Sequence, residues 1–211
     1  MQIAQPIKIL DDIAFVASVA FTAAITGIIT SNDHGLKQNT IVKVASDDTL
    51  PAGLSSSIYY YVVAVTTNTF KLAIEKDGLP VSITDTGTGN HAFTVQGAQE
   101  PCFTEGFNHI ELELFSDNAL NDYVVKVVGS QQEDKPNFNA AQSESNRFEY
   151  IQTINLEDGS AVDGNDGFTV AGALKKVLEI NTNTLRWVGL IVSSYTAGDL
   201  TAHIKLAKFN E

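Results

Sequence analysis

The chain has 211 residues, a formal net charge of -12 and one cysteine, and these facts exclude several classes of protein. A surface this acidic repels a phosphate backbone, because nucleic-acid affinity rests on Lys and Arg displacing counterions. Cys102 has no intrachain partner, so the fold must come from a buried core, and a free thiol suits a reducing cytoplasm. Residues 13–29 form the most apolar run, but they include Ser18, Thr22, Thr26 and Gly27 and fall short of the ~20 residues of a spanning helix. Asp11 and Asp12 stand where a signal peptide carries basic residues. A soluble protein without secretion is expected.

In chain order, residues 1–21 alternate, with Ile13, Phe15, Ala17, Val19 and Phe21 on one side. Val, Ile, Phe and Thr favour a strand, and the abundant alanine leaves a helix as the alternative. Strands are predicted at 25–30, 41–45, 58–66, 70–74 and 92–95. Turn signals separate them at Ser31 to Gly35, Pro51 to Gly53, Thr67-Asn68, Asp77-Gly78 and Asp85 to Asn90. Gly97 to Pro101 reads as a return linker. Further strands are predicted at 110–115, 123–128, 148–156, 168–170, 176–180, 185–195 and 200–209. Thr196-Ala197-Gly198-Asp199 reads as a hairpin turn between the last two.

Residues 129–146 are polar and aperiodic. Loops of that length are uncommon in compact domains unless they bind something or order on assembly. The expected contact loop is 131–146, with Gln131, Gln132, Glu133, Asp134, Lys135, Asn137, Phe138 and Asn139 as candidate partner contacts. Tyr59, Tyr60 and Tyr61 are the other candidates: three successive rings on a strand put at least one outside, where tyrosine suits sugar or protein contact. The plain alternative is an edge ring packed on its own module.

Other residues are weighed against structural roles. His109, Glu111 and Glu113 share one face of a predicted strand and could ligate a metal, but alternation alone gives such a solvated row. His34 and His91 read as turn residues. Glu157-Asp158 and Asp163 to Gly167 form an acidic cluster that could hold calcium, yet Gly167 stands where an EF-hand ligand belongs and no Glu closes the loop. Trp187 alternates with Leu185, Gly189 and Ile191 and reads as sandwich core. There is no strand-to-helix nucleophile elbow, no phosphate-cradling glycine loop, and no His near Cys102 in sequence. No enzyme, cofactor or metal is expected.

Asp33-His34-Gly35-Leu36, Leu50-Pro51-Ala52-Gly53-Leu54, Tyr59-Tyr60-Tyr61-Val62-Val63, Asn68-Thr69-Phe70-Lys71-Leu72 and Gly87-Thr88-Gly89-Asn90-His91 form an ordered set. In this order they resemble a small β-module that recurs in structural proteins of tailed bacteriophages. Residues 185–202 are similar to the closing hairpin of β-sandwich domains in phage structural proteins, with Gly189 where such domains often have Arg. The expected fold is all-β, a jelly-roll-like antiparallel sandwich of residues 1–20 and 97–211 with a small barrel or sandwich module, 21–96, inserted. Two sequential domains are the rival partition. The resemblance implies a virion component assembled in the bacterial cytoplasm, with capsid decoration or head fibre first and a tail or baseplate component that touches the host as the alternative. A carbohydrate-active enzyme of the particle is a third class. Expected partners are the major capsid protein or other virion proteins, with a host-surface glycan or receptor under the alternative. By family analogy the chain is expected to be a homotrimer, with no nucleic acid or membrane partner.

Overall fold

The computed structural model describes residues 2–3, 5–181 and 184–208. Among these the protein is all-β, 49% strand, with no helix and antiparallel pairing. The chain divides into two compact units, Met1–Asp12 with Gly97–Glu211, and Ile13–Gln96.

The first unit is a β-sandwich. Its seven-stranded sheet runs Gln2–Ile3, Asp199–Lys208, His109–Ser116, Leu174–Asn181, Thr153–Asn155, Ala161–Val162, with Ile7–Ala14 also paired to Asp199–Lys208. Its five-stranded sheet runs Glu149–Tyr150, Asp122–Ser130, Trp187–Ala197, Cys102–Phe103, with Phe168–Ala171 also paired to Asp122–Ser130. Alternation sets the core. Ile110, Leu112 and Leu114 point inward from one sheet, and Tyr123, Val125, Val127, Val188, Leu190 and Val192 from the other, all buried.

Successive long strands lie in opposite sheets. Trp187–Ala197 pairs with Asp122–Ser130, whereas Asp199–Lys208 pairs with His109–Ser116. The Thr196 to Asp199 segment is therefore an arch between sheets and not the expected hairpin. Gly198, at φ 131°, makes this corner, where a Cβ would press on Tyr123. Two further crossings, Ser116 to Asp122 and Ala171 to Leu174, meet at the same place on a buried Asn121. Its Nδ2 donates to Ser116 Oγ at 2.8 Å and to the Gly172 carbonyl at 3.0 Å, while its Oδ1 accepts from the Asp199 amide at 3.1 Å. Tyr123 Oη donates to the Asp199 carbonyl at 2.8 Å. One amide side chain thus satisfies backbone groups from corners that no ladder reaches.

The second unit is a closed six-stranded barrel in the order Val19–Ala23, Ile29–Thr30, Thr69–Ala73, Tyr60–Val63, Ile41–Ser46, His91–Val95. Ile29, Val42, Tyr60, Val62, Phe70, Leu72, Phe93 and Val95 fill it, and Phe70 meets Phe93 edge-on at 5.5 Å. This unit starts at Ile13, not at residue 21 as expected. The run 13–21 is not one strand: Asp12 and Ser18 take positive φ, 51° and 55°. Beyond Ser18 the chain pairs with His91–Val95. Of the strand expected at 25–30 only Ile29–Thr30 forms. Residues 24–28 form a tight turn in which the Gly27 amide donates to the Ala24 carbonyl and the Ala24 amide to the Ile28 carbonyl, both at 2.9 Å, with Gly27 at φ 76°.

Candidate functional site

The 131–148 segment is a packed layer and not a free contact loop. Phe138 is 6% exposed and meets Phe148 edge-on at 5.2 Å. With Ala98 and Val128 they form a second cluster on the outer face of the five-stranded sheet, against which Trp187 and Ile191 pack. Trp187 therefore belongs to this outer cluster and not to the space between the sheets, and its ring meets Phe103 at 4.9 Å. Gly189 makes room for the layer, since a Cβ there would lie 2.6 Å from the Phe138 ring.

Polar side chains in this segment replace a ladder. Gln132, also buried, accepts from the Arg147 amide at 2.7 Å and donates to the Asp134 carbonyl at 2.8 Å. Asn139 makes a two-way bond with the Ala98 backbone at 2.9 and 2.8 Å. The Asn137 amide donates to Asn146 Oδ1 at 2.9 Å, and Lys135 pairs with Glu100 at 3.2 Å. Phe138, Gln132 and Asn139 are thus structural, contrary to expectation. Gln131, Glu133, Asp134, Lys135 and Asn137 remain exposed. A shallow cleft of about 420 Å³ at the base of the layer is lined by Gln131, Gln132, Arg147 and Leu185 among others.

Of the three tyrosines, Tyr60 is fully buried and its Oη accepts from the Ser55 amide at 2.8 Å, fixing the loop after Pro51. Burial raises its phenol pKa. Tyr59 and Tyr61 are half-buried, and Lys43 Nζ lies 5.0 Å from the Tyr59 ring centre. The tyrosines therefore do not act as one surface.

His34 is buried against Phe70 at 5.0 Å, and its Nδ1 accepts from the Leu36 amide at 3.0 Å. Burial is the main cause of its lowered pKa. The nearby Thr69 and Thr66 carbonyls and Asp33 oppose that shift, although Nε2 makes no hydrogen bond of good geometry. His91 bridges Ser46 Oγ and the Thr86 carbonyl, each at 3.0 Å. His109 lies 3.3 Å from Glu179 and 3.8 Å from Glu111, whose carboxylate takes Lys205 at 2.9 Å. That hydrogen bond, ahead of the charge itself, holds the Glu111 pKa low. The Asp158 and Asp163 carboxylates cap their own turns, accepting from the Ser160 and Asn165 amides at 2.9 and 2.8 Å. Burial pushes the Cys102 thiol up to about 11, which suppresses the reactive thiolate.

A further concavity lies on the barrel. About 580 Å³ in volume, it is bounded by Phe21, Thr22, Ala23, Thr30, Ser31, Asn32 and the turn from Thr86 to His91. In the sequence Ser31, Asn32 and Thr86 to His91 read as turn residues, and Phe21 and Thr30 as parts of strands. Their convergence depends on which strands pair, which no local spacing encodes. Compared with known proteins, the chain matches no protein-family model, no curated protein and no solved structure.

Proposed function

We propose that the chain is a non-enzymatic structural component of a tailed-phage particle, a capsid decoration or head-fibre protein that binds the outer shell and stabilises it. The observation that carries this reading is a set of exposed aliphatic side chains on neighbouring loops of the barrel. Leu79 is 91% exposed, Ile25 67% and Ile74 60%. Gly27, in the turn that carries Ile25, packs against the Val81 carbonyl beside Leu79, and Ile29 pairs with Phe70 at the head of the strand that leads to Ile74. Apolar groups presented this way suit contact with another protein. The ordered set resembling the phage module supplies three of the barrel's turns and two of its strands, as a unit reused whole would require. Weak contacts repeated by symmetry, and a homotrimer, would supply avidity.

The test is to add the purified protein to particles lacking it and locate it by cryo-electron microscopy. Density repeated over the icosahedral shell is expected, and Ile25→Ser with Leu79→Ser should weaken attachment at least roughly tenfold. Absence of shell density overturns decoration. The second reading is a tail or baseplate component contacting the host, favoured by the uncharged, hydrogen-bonding lining of the barrel cleft. It predicts density confined to the tail and saturable attachment to host cells.

A further inference from the structure

The barrel cleft originates in an exchange of strand partners. In the turn after Val19–Ala23, the Ala24 amide bonds to the Ile28 carbonyl, so by antiparallel alternation Thr22 and Thr30, which are register partners, form the next bonded pair. The backbone groups of Phe21 and Ala23 then face the other way. Phe21 finds His91 there, and the partner due opposite Ala23 is Gly89. Gly89 is not there to meet it, because the turn before His91 follows a different strand. Thr88 and Thr49 exchange amide-to-carbonyl bonds at 2.9 and 3.2 Å, and the Asp47 amide donates to the Asn90 carbonyl at 3.2 Å. The sheet opens into a wedge with the Ala23 amide and carbonyl on one wall.

Three of the side chains on the walls each commit a proton inside the protein. Asn90 Nδ2 donates to Asp47 at 2.8 Å, leaving Oδ1 as an acceptor. Thr88 Oγ1 donates to Asp48 at 2.7 Å, and Ser31 Oγ donates to the Ala20 carbonyl at 2.8 Å. The carboxylates stand behind the turn, and the cleft lining itself holds no Asp, Glu, Lys or Arg. Uncharged acceptors held rigid, beside the outward-facing Ala23 backbone pair, favour a neutral ligand rich in hydroxyl donors. An added β-strand fits poorly, because only one residue of the Val19–Ala23 edge is open and strand addition needs a row of them.

We infer that this wedge binds a short neutral carbohydrate of one or two sugar rings. Its use in host contact rests on the second functional reading, while the binding itself does not. The experiment is an amide-resolved NMR titration of the full chain with maltose, cellobiose, lactose and diacetylchitobiose. Sialic acid serves as charged comparator and a Thr-Val-Thr-Val peptide as strand comparator. At least one disaccharide should shift the Ala23, Asn32, Thr88, Gly89 and Asn90 amides saturably. Asn32→Ala should weaken that binding roughly tenfold, Thr22→Trp should abolish it by filling the wedge, and Leu120→Ser, at an exposed position of the sandwich, should leave it unchanged. The inference is overturned if no disaccharide shifts these amides, if only the peptide or sialic acid does, or if Thr22→Trp binds as tightly as the parent. Particle location is a separate measurement: a sugar-binding chain found on the head upholds the site and removes host contact through the tail.

Discussion

The barrel and the sandwich solve the same problem, reversing a β-chain, by opposite means. In the barrel, reversals are local: Gly27 completes a tight turn, Gly53 passes under the Ser82 carbonyl, and Asn90 and Asp47 tie neighbouring loops. In the sandwich, the decisive reversals cross between sheets, and distant corners share the buried Asn121. Local turns need permissive backbone at particular positions, whereas shared corners need a polar side chain whose every group is matched. Damage should therefore stay confined in the barrel and spread in the sandwich.

Trp187, the only tryptophan, lies in the sandwich and reports on that unit, so denaturation followed by its fluorescence can break the comparison. The largest loss is expected from Phe138→Ala, about 4 kcal/mol, because it empties the centre of the outer cluster. Gly189→Ala should cost about 2 kcal/mol in the parent and much less beside Phe138→Ala, since its Cβ collides with that ring alone. Equal costs in both backgrounds would sever the link between Gly189 and the 131–148 layer. Asn121→Ala should cost about 3 kcal/mol through orphaned backbone groups at several corners. Loss of hydrogen-exchange protection at one corner only would show that the corners are independent.

In the barrel, Gly53→Ala meets both a φ of 103° and the Ser82 carbonyl, and should cost about 2 kcal/mol. Protection in the barrel should fall while Trp187 fluorescence unfolds as in the parent. The smallest effect is a pH dependence. Burial lowers the His34 pKa from its ordinary 6.5, so the unfolded chain binds the proton more readily. The resulting stability is complete above about 6.5 and is lost as pH falls through the folded value. Protonation also removes the acceptor of the Leu36 amide. His34→Gln should flatten the slope of barrel stability below pH 6.5, and an unchanged slope would assign it to other groups.

Much of this was legible in the sequence where alternation decides it. Ile110, Leu112 and Leu114 are buried while His109, Glu111 and Glu113 form an outer row, as their parity requires. The all-β class and the small module with dense turns follow from the same signals. The sheet to which a strand belongs was not legible, because alternation gives two faces but no partner. Trp187 and the 196–199 arch were misplaced for that reason. Phe138 is one apolar residue in a polar stretch, and its complement, the missing side chain of Gly189, lies 51 positions away in sequence. The cleft was invisible because it arises where Phe21 keeps a strand partner and Ala23 loses it.

The barrel's two chain ends are fastened to each other. The Val95 amide donates to the Val16 carbonyl at 3.0 Å, and the Ser18 amide to Thr94 Oγ1 at 3.2 Å. Once the barrel has folded, the long excursion from Ile13 to Gln96 behaves toward the rest of the chain as a short clasp, and the loop-closure entropy of joining Met1–Asp12 to the later strands has already been met within the barrel. Folding order follows: a barrel that forms first speeds assembly of the sandwich, while one that is slow delays it. The same clasp makes the insert a replaceable cassette, exchangeable for another fold with equally close ends.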